Sequence, residues 1–382
     1  MKKLALKSLK NQARFALAIL ILLIAVAPKM NAQGTATKEK RKIQIALILD
    51  TSGSMDGLIE QAKSQLWTIV NELTKASCEG EDPILEIALY EYGNDRFSSS
   101  DGWVRQIAPL ITDLDDISSA LFAMTTNGGS EYCGLAIEKS TKNLEWSKSN
   151  KDIKMIFIAG NEPFTQGPVN YLSSCGNARE KGIMVNTIHC GSFEEGVRGQ
   201  WKNGALVGGG EYMSIEHNKR TVYIETPYDD QINKLGADLN KTYIYYGEQG
   251  YTKKQKQTTE DANAQEYSSS NIASRNSIKA SKYYKAESWD LVDALEGKKV
   301  NLKEVKKESL PPELQKMTDA QLQAYVDSQS KKRENLKLQI SVLDQQRKIY
   351  IAKQSKSTGA PSLESSMVKA IKKQAVSKNY TW

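Results

Sequence analysis

From Lys42 to about Gly247 the chain alternates between short apolar runs and stretches with apolar residues at helical spacing. KIQIALIL (42–49) and IKMIFIAG (153–160) are continuous apolar runs of strand length, as expected of strands covered on both faces. ILEIALYEYG (84–93), WVRQIAPL (103–110) and GIMVNTIHC (182–190) predict three more strands, and 211–215 and 221–225 shorter β-type pieces. Leu58, Ala62, Leu66, Ile69 and Leu73 predict a helix over 56–76. Further helices are expected over 114–124, 132–146, 169–181 and 228–243. The last starts at TPYDDQI, where Asp229 and Asp230 suit the positive end of the helix dipole. The tyrosines of TYIYYG (242–247) are expected to pack it against the sheet. This alternation predicts an α/β fold, a doubly wound, mostly parallel sheet flanked by helices. Such sheets bind ligands outside the carboxyl ends of their strands.

After Gly250 the pattern fades. Residues 248–282, with YTKKQKQ and SSSNIASRNSIKASK, are polar and read as a linker. A C-terminal α-helical region follows over 283–382. WDLVDAL (289–295) predicts a short helix, and Thr318 with Gln321 forms a capping-box pattern ahead of a long helix to about Lys356. Leu336, Ile340, Leu343, Arg347 and Tyr350 fall at spacings of a coiled-coil seam. Two clean heptads are fewer than a seam needs, so packing in a hairpin with a final helix near 363–376 is expected instead.

Charge divides the chain further. Residues 1–34 carry six Lys/Arg and no acid, and 251–382 carry 25 bases against 15 acids. The overall net charge of +7 therefore leaves −9 on residues 35–250. An acidic body argues against nucleic-acid binding. The basic start, the apolar run Phe15–Ala27 and a cut after Ala32 predict a cleavable signal peptide over 1–32. The run is shorter than the roughly 20 residues of a membrane span, so no stable span is expected after cleavage. A periplasmic or secreted location follows. There Cys78, Cys133, Cys175 and Cys190 can form disulfides in any of three pairings. Cys175–Cys190 would close a loop of about 15 residues, worth roughly 3 kcal/mol.

The candidate chemistry lies in LILDTSGSM (47–55). Asp50, Ser52 and Ser54 place three oxygen-bearing side chains at alternate positions where a buried strand ends. A helix N-cap needs one such residue; three of them suit a hard divalent cation, which takes oxygen ligands and water. This run in its strand–turn–helix context resembles the D-x-S-x-S motif of von Willebrand factor type A (vWA) domains, where it forms a metal-ion-dependent adhesion site (MIDAS). The resemblance extends over 41–247. MTTNGGSEYCGLAI (124–137) is similar to the family's second metal loop, with Ser130 as the matching hydroxyl and Thr126 as a weaker match. The family's third element, Thr-Asp-Gly, is absent: in FIAGNEPF (157–164) Gly160 stands where that Asp belongs. Glu131, Asn161 or Glu162 could supply the missing oxygen. The resemblance implies a variant site at Asp50, Ser52, Ser54, Ser130 and Glu131 for Mg²⁺, or Mn²⁺ or Ca²⁺. It also implies a protein partner whose carboxylate completes the metal shell, and no catalysis.

Two other readings compete. The scaffold reading keeps the fold without metal and gives the interaction to the helical tail. A hydrolase would need a histidine, and His189 and His217 are the only two. His189 ends a strand beside Cys190 and is expected to be structural. Aspartyl phosphotransferases need a second carboxylate two residues after the first, where this chain has Ser52.

Overall fold

The structure is a computed structural model that describes residues 40–215, 224–357 and 371–382. The signal-peptide segment, His217, the β-type residues 221–223 and the start of the final predicted helix lie outside the described residues. Six strands form the main sheet: β1 (Lys42–Asp50), β3 (Ile84–Tyr92), β4 (Val104–Ile111), β5 (Ile153–Gly160), β6 (Met184–Cys190) and β7 (Gly209–Ile215). Their order is β4-β3-β1-β5-β6-β7, antiparallel only between β3 and β4. The predicted α/β class is therefore observed, down to the mostly parallel sheet.

Alternation along β1 fills both helical layers. Ile43, Ile45, Leu47 and Leu49 pack with α1 (Ile59–Leu73) and α2 (Leu114–Phe122). Ala46 and Ile48 face the other way, toward α3 (Cys133–Asn143), α4 (Tyr171–Glu180) and Trp201 of α6 (Trp201–Gly208). A short α5 (Phe193–Arg198) links β6 to α6. From β1 the chain proceeds to β3 on one side, whereas β5 lies on the other. Asp50 therefore ends a strand at the topological switch point, where a crevice opens in such sheets.

The expected 248–282 linker is instead helical. α7 (Asp229–Asn240), α8 (Gly250–Tyr267) and α9 (Ser269–Ala280) are followed by α10 (Leu291–Glu296), α11 (Pro312–Gln315) and the 39-residue α12 (Asp319–Ser357). The polar composition misled because much of the burial here is polar: Gln257, Glu260, Arg275, Asn276 and Lys279 are all buried. Each has polar partners, so burial leaves them satisfied: Gln257 pairs with Tyr284 and Lys254, Glu260 with Ser118 of α2, Arg275 with Asp115 of α2 and Asp261, Asn276 with Asn233, and Lys279 with Asn240 and Asp261. The Thr318–Gln321 capping box forms as predicted, with Gln321 N donating to Thr318 Oγ1 at 3.3 Å and Thr318 N to Gln321 Oε1 at 2.9 Å.

The seam residues of α12 face the protein itself. Leu336, Ile340 and Leu343 join the cluster around Ile232 and Trp289, and Arg347 bonds Asp229. α12 packs on α7, α9 and α10; most of the final helix expected as its hairpin partner lies outside the described residues. The TYIYYG tyrosines also change partners: Tyr243 stacks on Trp289 at 5.6 Å in this helical layer, not against the sheet. Residues 371–376 are helical, and Ile371, Ala375 and Tyr380 enter the α/β core. β8 (Tyr380–Thr381) pairs with β2 (Ser77–Cys78), and Tyr380 Oη donates to Lys42 O at 2.9 Å.

Cys133, Cys175 and Cys190 are buried thiols, so the Cys175–Cys190 bond is not made in this structure. The topology gives a reason for the Cys175–Cys190 pair. Cys190 packs on the α1–α2 side of the sheet and Cys175 on the α3–α4 side, so a bond would have to cross the sheet. Among the described residues no helix is long and apolar enough to cross a membrane.

Candidate metal centre

β1 ends at Asp50 because its next residues turn into a single 3₁₀ turn, Gly53–Met55, before α1. The turn folds back on the carboxylate. Ser52 N donates to Asp50 Oδ1 at 2.8 Å, Ser52 Oγ and Ser54 Oγ lie 3.0 Å apart, and Ser54 Oγ donates to Asn161 Oδ1 at 3.1 Å. Asn161 Nδ2 returns a bond to Ser54 O at 3.3 Å, closing β5's exit loop onto the first motif. The alternation in LILDTSGSM thus brings three oxygen groups to one place, and Asn161 joins them.

The cup is deeper than a surface motif. Asp50 is 0% exposed and Ser52 1%. Asp50 Oδ2 is buried with no hydrogen-bond partner. Burial pushes its acid up to about 7, against bonds from Ser52 that favour the ionised form, and the charge of Glu131 adds to the rise. Glu131 is itself buried, and its acid is raised by burial and by the charge of Glu162, against the nearby Ser52 hydroxyl, which favours the ionised form. The Glu131 backbone N–H donates to Gln166 Oε1 at 2.9 Å. Two acids thus converge on Ser52.

Glycine makes the cradle. A Cβ on Gly93, whose φ is +78°, would lie 2.7 Å from Asp50 Oδ1 and 3.0 Å from Glu131 Cγ. Gly129 meets the backbone of Gly93, where a Cβ would stand 2.3 Å from Gly93 O. Gly129, the second glycine of the second loop, is therefore a requirement of close backbone approach. Ser130 is half-buried beside Glu131. Thr126 turns away and bonds Asp56.

Gly160 has a steric explanation. A Cβ there would lie 2.3 Å from Tyr92 Oη and 3.0 Å from Asp50 Oδ2. Tyr92 is fully buried, donates to Ala159 O at 3.2 Å and lies 3.4 Å from Cys133 Sγ. Its hydroxyl occupies the space that a side chain at 160 would enter. Tyr92 and Gly93 are cup residues that the sequence pattern did not single out. Asn94 is a third, with Nδ2 3.3 Å from Thr51 O and 3.1 Å from Thr125 O, tying the two loops together. The turn pair Gly-Asn after a strand was their visible signal.

The donor set suits a hard cation. Among the described residues no three His, Cys, Asp or Glu side chains form a metal-binding group. Two carboxylates, hydroxyls and an amide fit an ion that keeps water in its shell better than zinc, which prefers nitrogen and sulfur. The orphan Asp50 Oδ2 and the glycine-lined cradle are consistent with such an ion. His189 offers no Ser–His pair: its Nδ1 is buried without a hydrogen-bond partner, and its ring packs 5.7 Å from Trp201.

Residues 44–205 match the family model of the von Willebrand factor type A domain. No curated protein matches the chain. Among solved structures, the VWA domain of SpRpn10 is 15% identical, with 50% of this chain and 95% of that one covered and a TM-score of 0.37. A conserved hypothetical protein, BatB from Bacteroides thetaiotaomicron, is 17% identical, covering 46% of this chain and 90% of that one at a TM-score of 0.35. Proximal thread matrix protein 1 from the mussel byssus, with zinc in its own MIDAS motif, is 14% identical at a TM-score of 0.35. There 47% of this chain is covered and 43% of that chain, less than half of the mussel protein's length. The match thus places a von Willebrand factor type A domain at residues 44–205.

Proposed function

We propose that the protein is an exported, non-enzymatic binding or scaffold protein whose vWA domain holds a divalent cation at the strand-end cup. Asp50, Ser52 and Ser54 are the first-motif ligands, Glu131 supplies the second carboxylate and Ser130 a further hydroxyl. Mg²⁺ is the expected ion, with Mn²⁺ or Ca²⁺ as alternatives that accept the same oxygen donors. A carboxylate from a protein partner would complete the shell. The reading is carried by Asp50 Oδ2, a buried acid oxygen without a partner inside a glycine-lined cradle. A buried carboxylate left without a counter-charge is costly, and a cation at this point would supply one. The signal-like first segment supports a periplasmic or secreted location.

The test is calorimetric titration of Mg²⁺ and Mn²⁺ into the metal-stripped chain from Gln33 onward, beside Asp50→Ala. Saturable binding that disappears in the variant is expected. Absence of binding by the wild type would favour the metal-independent reading, in which Tyr92 has displaced a needed carboxylate and the helical layer carries the interaction. A low signal from weak binding is separated from this outcome by repeating the titration with a small carboxylate, acetate, in excess.

A further inference from the structure

The helical layer grips the α/β domain mainly at one helix, α2, through a cluster of charges. Lys253 of α8 donates to Asp113 Oδ2 at 2.8 Å and Asp116 Oδ2 at 2.6 Å, and Lys256 donates to Asp116 Oδ1 at 2.6 Å. Arg275 of α9 donates to Asp115 Oδ1 at 2.8 Å, and Ser118 Oγ donates to Glu260 Oε2 at 2.9 Å. Asp113 is also the N-cap of α2, accepting from the Asp115 and Asp116 N–H groups. Every one of these contacts lands on the first two turns.

The other end of α2 runs straight into the loop that carries Glu131. Lys63, buried on α1, donates to Phe122 O at 3.2 Å and to Met124 O at 2.7 Å. The next residues are tied to the first motif itself. Asn94 joins Thr125 O to Thr51, and Asn127 N donates to Thr51 O at 3.0 Å. One bonded path therefore runs from α8 and α9 through α2 to the loop 123–131 and to the residue following Asp50.

We propose that Lys253, Lys256 and Arg275 are positioning residues for the cation cup: by fixing α2 they fix the loop that brings Glu131 to Asp50. This inference rests on the cation reading above. A rigid helix pinned at one end transmits its placement to the segment at the other, and the two carboxylates must meet within the short reach of a metal shell. The helical layer then belongs to the binding device and is not an appended module. By reciprocity, a cation that favours the loop placement bringing Glu131 to Asp50 also favours the α2–α8 contact.

The test compares the chain from Gln33 onward with the double variant Lys253→Met/Lys256→Met and the conservative Lys253→Arg/Lys256→Arg. Arg275 is left in place because it is buried and its loss threatens folding. Mn²⁺ affinity is read by calorimetry, folding by circular dichroism and thermal melting. The Met pair is expected to weaken Mn²⁺ binding about 5- to 10-fold, the low end of typical coupling, while remaining folded, and the Arg pair to restore it. Hydrogen exchange on the wild type should show Mn²⁺ protecting amides in 250–280 as well as in the cup loops. Unchanged Mn²⁺ affinity in the Met pair, or protection confined to 51–58 and 124–131, would overturn the positioning role while leaving the cation reading standing. No Mn²⁺ binding by the wild type would overturn both.

Discussion

Asp50 and Asp290 are both 0% exposed, yet they sit in opposite electrostatic settings. Asp290, in the helical layer, is held by Arg333, whose Nη1 lies 2.5 Å from Oδ2 and Nη2 3.1 Å from Oδ1. It also accepts from the backbone N–H groups of Ile244 and Asp293. Asp50, in the cup, has one oxygen bonded and the other without a partner. The chain supplies the counter-charge to the first from its own sequence. For the second it supplies a cradle. A buried acid with a fixed arginine is architecture; one lined by glycine and hydroxyls is, in the function proposed above, a place for an external cation.

Breaking the arginine side should have the largest effect. Arg333→Met leaves Asp290 buried and uncompensated, and removal of one partner from a buried pair costs about 3–5 kcal/mol. Arg333 also lies over the Tyr243 ring at 4.1 Å and donates to Thr242 O, so its loss loosens packing as well. Urea denaturation should show that cost. A loss below about 1 kcal/mol, the scale of a surface pair, would remove the contrast with Asp50.

The cup side predicts the opposite behaviour for Asp50→Asn, because the wild-type chain without metal carries an unbalanced acid. The folded-state acid is raised to about 7 by burial, from an ordinary value of 3.8. Between those values the folded state binds more protons than the unfolded state, so stability falls as pH rises. The loss should approach about 4 kcal/mol by pH 8, since each pH unit between the two values removes about 1.4 kcal/mol. Asp50→Asn should lack this component, so metal-stripped wild type loses stability relative to the variant between pH 4 and pH 8. Mn²⁺ should then restore the wild type alone. Parallel pH profiles for the two chains in denaturant melts would show that Asp50 is already compensated.

This contrast also explains what could be seen in the sequence. The sheet was legible because parallel strands buried on both faces must be continuous apolar runs, and KIQIALIL and IKMIFIAG have no other ready explanation. Asp50, Ser52 and Ser54 were legible because they are adjacent along one turn. The helical layer was missed over 248–282 because its burial relies on pairs such as Arg275–Asp115 and Lys279–Asp261, far apart in sequence and indistinguishable there from solvated charges. Tyr92 was missed for the same reason. Its effect on position 160 arises only when β3, β1 and β5 are laid side by side.

The Tyr92–Gly160 contact gives the smallest effect and the sharpest test of the cup's construction. In Gly160→Ala the new methyl would stand 2.3 Å from Tyr92 Oη, a contact that cannot persist without movement. Overpacking of this kind costs about 1–3 kcal/mol. Tyr92→Phe removes the hydroxyl and its bond to Ala159 O, with a net cost of about 1 kcal/mol. If the hydroxyl is what keeps position 160 bare, the double variant should be at least about 0.5 kcal/mol more stable than the two single losses predict when added. Additive losses would mean that other walls of the cup, such as Asp50 itself 3.0 Å from the same point, exclude the side chain. The cycle thus separates two causes that the bare glycine in the sequence leaves merged: room taken by a neighbour's hydroxyl, and room kept clear beside a buried acid with an unpartnered oxygen.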